Sequence, residues 1–158
     1  LPDELLADAQ RRLDETRTVR DATTAAAAGP VTAMHDATEG GLFGALDEVA
    51  EGAGVRLDVD TDAVPIRPGV REVCEYLDID PWLSTSSGTL VLTVGADGVD
   101  DVLAELDATG TPGAVVGEVS EGDGVYVDSE LLDHPGVDPS WEAYERLAAA
   151  AADEEDVS

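Results

Sequence analysis

The sequence predicts a layered α+β domain, a sheet with helices packed against it. Segments of helical and of strand periodicity alternate along the chain, and glycines, prolines or small-residue turns punctuate them. A length of 158 residues with 43 % hydrophobic content suits one domain, large enough to bury roughly 70 % of its unfolded surface. Neither an internal repeat nor a long linker interrupts it.

Pro2 and Asp3 read as a helix start, and Leu5, Leu6, Ala9 and Leu13 recur at helical spacing. The pattern predicts continuous helix through Arg20 and the alanine-rich residues 22–28, stopped by Gly29-Pro30. A strand over residues 31–34 leads through a turn into a helix over 42–51, closed by Gly52 and Gly54. Residues 55–59 alternate as a strand, with Val55, Leu57 and Val59 on one side. Pro65 and Pro68 precede a helix over 69–77 whose Val70, Val73, Cys74 and Leu77 form an apolar stripe, with Cys74 as a packing residue. Asp80-Pro81-Trp82-Leu83 is a short turn or helix leading to a strand over 89–94, and a helix follows over 99–108. Residues 114–119 and 124–127 read as strands flanking a Glu-Gly-Asp-Gly turn, with Gly117, Gly122 and Gly124 belonging to that hairpin. Trp141, Tyr144 and Leu147 mark a last helix, and residues 148–158 read as a disordered acidic tail.

Thirty-six acids face eight basic residues, all arginine, for a formal net charge of −28. The acids are spread along the chain, so self-repulsion burdens the compact state in dilute buffer. At about 1 M salt the Debye length falls to roughly 3 Å and this repulsion is screened. The reading that follows is a cytoplasmic protein from a high-salt, halophilic cell. Such a surface argues against nucleic-acid or anionic-membrane partners. No apolar run approaches the roughly 18 residues that cross a bilayer, and no signal-peptide pattern precedes the first helix. The start at Leu1, without methionine, reads as a domain cut from something longer. One cysteine excludes an internal disulfide, and the two histidines, His35 and His134, are too distant in sequence to suggest a His-rich metal site.

The segment Val31-Thr-Ala-Met-His-Asp-Ala-Thr-Glu-Gly-Gly-Leu42 carries the functional signal. A strand, a small-residue turn and a helix start offer free backbone N–H groups and the positive end of a dipole to an anion. Gly40 and Gly41 allow a ligand close to the backbone. The alternative is a plain structural turn with Thr38 as N-cap. A second small-residue loop, Thr85-Ser86-Ser87-Gly88, has hydroxyls and backbone donors suited to a phosphate or a metal-bound water, or is an ordinary solvated loop. No nucleophile elbow accompanies these serines.

These two loops, in this order, resemble the C-terminal domain of the aminoimidazole-ribonucleotide (AIR) synthase-related superfamily, which includes the PurM-type synthases, thiamine-monophosphate kinases, selenophosphate synthetases and HypE-like hydrogenase maturation proteins. The similarity is greatest to a HypE-like, archaeal branch. Pro65-Ile66-Arg67, Val73-Cys74-Glu75, residues 77–81 and Ser86-Ser87-Gly88-Thr89-Leu90 complete the matching set, which covers about residues 1 to 127.

The resemblance implies a three-layer α-β-α domain with a mixed sheet, partly ferredoxin-like, over residues 1–147. It also implies a separate N-terminal domain that dimerises and holds most of the ATP and Mg2+ ligands. The active site would lie between the domains, where ATP-dependent phosphoryl transfer activates a small substrate. His35 and Asp36 become catalytic candidates. Thr38, Glu39, Gly40, Gly41, Ser86, Ser87 and Gly88 become substrate- or phosphate-binding candidates, and Asp36 a magnesium ligand. His35 serves as an acid/base or, preferably, as a hydrogen-bonding strut of the turn. Isolated, the domain is expected to be inactive; a non-catalytic scaffold that keeps the fold is the alternative. Two departures bear on the substrate. The sequence ends Asp-Glu-Glu-Asp-Val-Ser where HypE-like proteins carry a Pro-Arg-(Ile/Val)-Cys tail, and it has Ser-Ser-Gly-Thr where they have a charged Asn-Glu-Gly-Lys type of loop.

Overall fold

The computed structural model describes residues 1–133 and 136–156; His134 lies outside them. Its elements are α1 (Asp3–Arg11), α2 (Thr18–Ala28), β1 (Val31–Ala37), α3 (Gly41–Ala53), β2 (Arg56–Val59), α4 (Val70–Leu77), β3 (Thr89–Val94), α5 (Val99–Ala108), β4 (Gly117–Ser120), β5 (Gly124–Val127), β6 (Glu130–Leu131) and α6 (Pro139–Asp156). The fold is the mixed α/β arrangement the sequence predicts, with its strands divided between two sheets. One is the antiparallel pair β1-β3; the other is mixed and has the order β4-β2-β5-β6.

Helix α3 lies between the sheets because it is apolar over most of its circumference. Its Phe43, Leu46, Val49 and Ala50 form one core with Leu57, Val59 and Val125 of the mixed sheet, and Val91 of β3 packs against the same cluster. On the other side of the β1-β3 pair, α2 and α5 close a smaller core of Ala25, Val102 and Leu106, against which Val31, Leu92 and Val94 pack. Leu57 and Val59 are buried while Arg56 and Asp58 are not, as the alternation predicts.

Four local expectations change. The first helix is not continuous: α1 gives way to a 3₁₀ turn at Arg12–Glu15 before α2 begins. Tertiary contacts overrule propensity here. Arg12 donates to the Pro68 carbonyl at 3.0 Å, and Glu15 pairs with Arg67 at 3.0 Å. Secondly, β4 and β5 do not form a hairpin. β2 inserts between them, antiparallel to β4 and parallel to β5, so the turn at Gly122 crosses the end of β2. Gly117 fits this only without a side chain, since a Cβ there would lie 2.2 Å from the Asp58 carbonyl oxygen. Thirdly, β1 runs on to Ala37 because β3 supplies ladder partners as far as Thr89. Finally, α6 continues to Asp156 through the stretch read as a tail; five consecutive alanines there have the highest helix propensity.

Cys74 is buried on the α4 stripe as expected. Burial pushes its thiol up more than the hydrogen bond with Ser84 draws it down, which leaves it a poor nucleophile.

Candidate functional site

The two small-residue loops meet. The Thr38 carbonyl accepts the Ser86 N–H at 3.1 Å, and the Trp82 carbonyl accepts the Phe43 N–H at 3.1 Å. The pairing of β1 with β3 forces this encounter by setting Ala37 opposite Thr89, one residue from the end of each loop. Gly40 and Gly41 both take left-handed backbone conformations, with φ of 73° and 60°. At Gly41 a Cβ would stand 2.6 Å from the Trp82 carbonyl oxygen and 2.7 Å from that of Ser84. Glycine is needed here because the second loop lies across the turn.

The backbone donors expected to face a ligand are engaged within the protein. Gly41 N–H donates to the Thr38 carbonyl at 3.2 Å. Gly40 N–H donates to Oδ2 of Asp138 at 2.7 Å, and the Thr85 hydroxyl donates to the same oxygen at 2.6 Å. The other oxygen, Oδ1, accepts the Ser140 N–H at 2.7 Å in the first turn of α6. Ser140 Oγ in turn accepts the Thr85 N–H at 3.0 Å. Asp138 is only 8 % exposed. Burial raises its carboxyl, but the hydrogen bonds from Thr85, Gly40 and Ser140 outweigh it together and hold the group below the usual carboxylate range.

His35 and Asp36 lie on the strand, not in the turn, and alternate across it. His35 points toward α3, where Nε2 donates to the Glu48 carboxylate; its side chain is one-third exposed. That bond leaves Nδ1 as the open ring nitrogen, 3.8 Å from Oδ1 of Asp36. Asp36, on the opposite side, is 61 % exposed. Thr38 and Glu39 are exposed at the turn, while Gly40 and Gly41 are buried. Ser86 donates its hydroxyl to Thr89 at 2.9 Å; Ser87 is exposed and Gly88 half-buried.

The predicted residues therefore fall into a buried junction and an exposed edge. Sequence reasoning missed Asp138, Ser140 and Glu48 as members, whereas Thr85 belongs to the second small-residue loop that the sequence singles out. Asp138 was legible: Asp-Pro-Ser is a helix-start pattern, with the acid in the capping position and proline at N1. No sequence signal links Glu48 to His35 thirteen residues earlier.

Among the described residues no three His, Cys, Asp or Glu side chains converge as a metal site. Asp36 and Glu39 are exposed, isolated carboxylates, whereas magnesium is usually held by carboxylates together with substrate phosphates. The described residues thus do not build a magnesium site by themselves.

An α3 N-terminus framed by two small-residue loops, set between a β-ribbon and a mixed sheet, defines a class of α/β domains that present a helix start beside a strand edge. Residues 3–130 match the model of the AIR synthase related protein, C-terminal domain, and the chain belongs to that family. It is 33 % identical over 125 residues to the carbamoyl dehydratase HypE of Rhizobium leguminosarum bv. viciae, an alignment that takes in 78 % of this chain and 36 % of that protein. The crystal structure of Escherichia coli HypE superposes with a TM-score of 0.68 at 32 % identity, over 76 % of this chain and 39 % of that one. A hydrogenase maturation protein HypE solved in complex with ATP gives a TM-score of 0.58 at 25 % identity, over 68 % of this chain and 38 % of its own. The chain spans about a third of the length of the curated relatives it matches. Among the described residues no helix is long and apolar enough to cross a membrane.

Proposed function

We propose that this domain forms one wall of the active-site cleft of a two-domain, ATP-dependent enzyme that activates a small substrate by phosphoryl transfer. The observation that carries the reading is the family match over residues 3–130, within which His35, Asp36, Thr38 and Glu39 stand at an exposed edge. An N-terminal domain of the same protein would supply the opposite wall, most nucleotide and magnesium ligands, and the surface for homodimer formation. A relative solved with ATP supports the nucleotide. ATP is itself a polyanion, and a wall with eight arginines and thirty-six acids is a poor sole binder of it.

In this reading Glu48 fixes the imidazole of His35 and leaves Nδ1 to accept or return a proton at the substrate. Asp36 would offer one exposed carboxylate to a magnesium ion whose other ligands come from the N-terminal domain and the substrate phosphates. Ser86, Ser87 and Thr38 border the phosphate path. A high-salt cytoplasm is the setting that the net charge of −28 fits, because salt screens the self-repulsion of this acidic surface.

One observation favours the scaffold alternative: the Gly40 N–H and Thr85 hydroxyl already hold an internal carboxylate. The deciding experiment measures ATP turnover in molar potassium chloride, with this chain alone and within a protein carrying its N-terminal domain. The expected result is turnover only in the two-domain protein, lost on moving to dilute buffer. Turnover by the chain alone would overturn the proposal. A two-domain protein that binds no ATP would favour the scaffold.

A further inference from the structure

The apolar stripe of the first helix finds little to pack on. Leu5, Leu6, Ala9 and Leu13 recur at helical spacing, yet among the described residues none of α1 is buried. Leu6, Leu13 and Val19 are 44 %, 77 % and 79 % exposed. A helix of nine residues is marginal in water unless an apolar side is covered. Leu5 approaches Gly69, and Arg12 beyond the helix reaches the Pro68 carbonyl, but the exposed leucines stay open.

Charge singles out the same region. Residues 1–20 and 65–72 are joined by the Arg12–Pro68 and Glu15–Arg67 contacts. They carry Arg11, Arg12, Arg17, Arg20, Arg67 and Arg71 against only six acids. The rest of the chain sets two arginines against thirty acids. These two segments are the neutral part of an acidic molecule. They also hold exposed charge of both signs: among the described residues, the side chains of Arg17, Arg71, Asp3, Glu4 and Asp14 have no polar partner.

We propose that this neutral, leucine-bearing patch is a self-association surface, and that its occupant is a second copy of this chain. Two molecules of net charge −28 repel each other through their acidic remainder. A two-fold contact sets the patch on its own copy, neutral surface on neutral surface, and covers Leu6 and Leu13 of both. The open arginines of each copy then meet open acids of the other. Nineteen residues of the two segments are exposed, close to the about 20–30 a side of a standard interface. The inference does not rest on the proposed function, which puts a homodimer surface on the N-terminal domain.

Sedimentation equilibrium of the 158-residue chain in molar potassium chloride tests it. Wild type is expected to dimerise at tens of micromolar. Its dissociation constant should rise roughly tenfold or more in dilute buffer, where the acidic remainders repel unscreened. Leu13→Glu should weaken the dimer by roughly tenfold or more, because it takes a charge into an apolar contact. At 77 % exposure the same change should leave melting of the dilute monomer unaltered. Arg17→Glu, which makes the patch acidic, should act in the same direction. Leu131→Glu, at a leucine 56 % exposed on the mixed sheet, should leave the dimer intact. If Leu13→Glu fails to fold, Val19→Glu carries the comparison. A chain that stays monomeric at hundreds of micromolar in molar salt overturns the proposal. So does a dimer that Leu13→Glu and Arg17→Glu leave intact, or one that Leu131→Glu weakens equally. A monomeric chain, with Leu13→Glu lowering the melting temperature only of the two-domain protein, would assign the patch to the N-terminal domain instead.

Discussion

The seven residues from His35 to Gly41 are contiguous in sequence but divide into two regions of opposite character. Gly40 and Gly41 enter a buried junction in which backbone donors and carbonyls are paired with Thr38, Trp82 and Asp138. His35, Asp36, Thr38 and Glu39 line an edge where side chains stay partly or fully exposed. The junction sets where the edge stands. Its interactions are mostly made by backbone groups around a buried carboxylate, whereas those of the edge are polar contacts between partly exposed side chains. A motif recognised as one functional signature is thus half architecture and half available chemistry.

The largest break in this contrast should come from Gly41→Ala. Left-handed backbone and a Cβ driven against two carbonyl oxygens should cost about 3 kcal/mol and lower the melting temperature by roughly 10 °C, as thermal denaturation would measure. Near-wild-type melting would mean that the second loop does not lie across the turn.

Acid should act next, and on the junction specifically. Because the folded Asp138 carboxyl titrates below its unfolded counterpart, its stabilisation is present above the unfolded aspartate value of about 3.9 and fades as pH falls through the lower folded value. Protonating the many surface acids relieves repulsion over the same range, so the quantity to follow is the stability difference between wild type and D138N. That difference should shrink toward low pH; a constant difference would remove the carboxylate's charge from the account.

Glu48→Gln sharpens the contrast from the edge side and should be the smallest effect on the fold. The pair with His35 is exposed enough that stability should move by less than about 1 kcal/mol in chemical denaturation. In the two-domain protein the same change should lower turnover by about tenfold through loss of imidazole orientation. A large stability loss instead would place the pair with the architecture.

Much was legible without the structure because it is local. The period-two pattern of β2, the apolar helix after Gly41, the left-handed closure at Gly54 and the two glycine-bearing loops all follow from neighbours a few residues apart. The order of the loops along the chain was enough to place it in its family. Other features depend on partners distant in sequence. Whether β4 pairs with β5 or admits β2 is decided by the sheet as a whole. The break between α1 and α2 comes from Arg12 reaching Pro68, fifty-six residues away. Glu48 finds His35 only once α3 has packed across β1.

The loop that first read as an anion site shows the division best. Composition and spacing determined that residues 38–41 would make a helix start rich in backbone donors, since glycine and a capping turn act within one turn of chain. Which anion meets those donors is a matter of what else folds against them. Only tertiary packing brings the carboxylate of Asp138 across ninety-eight residues to Gly40, where two helix ends and a hydroxyl make its burial favourable.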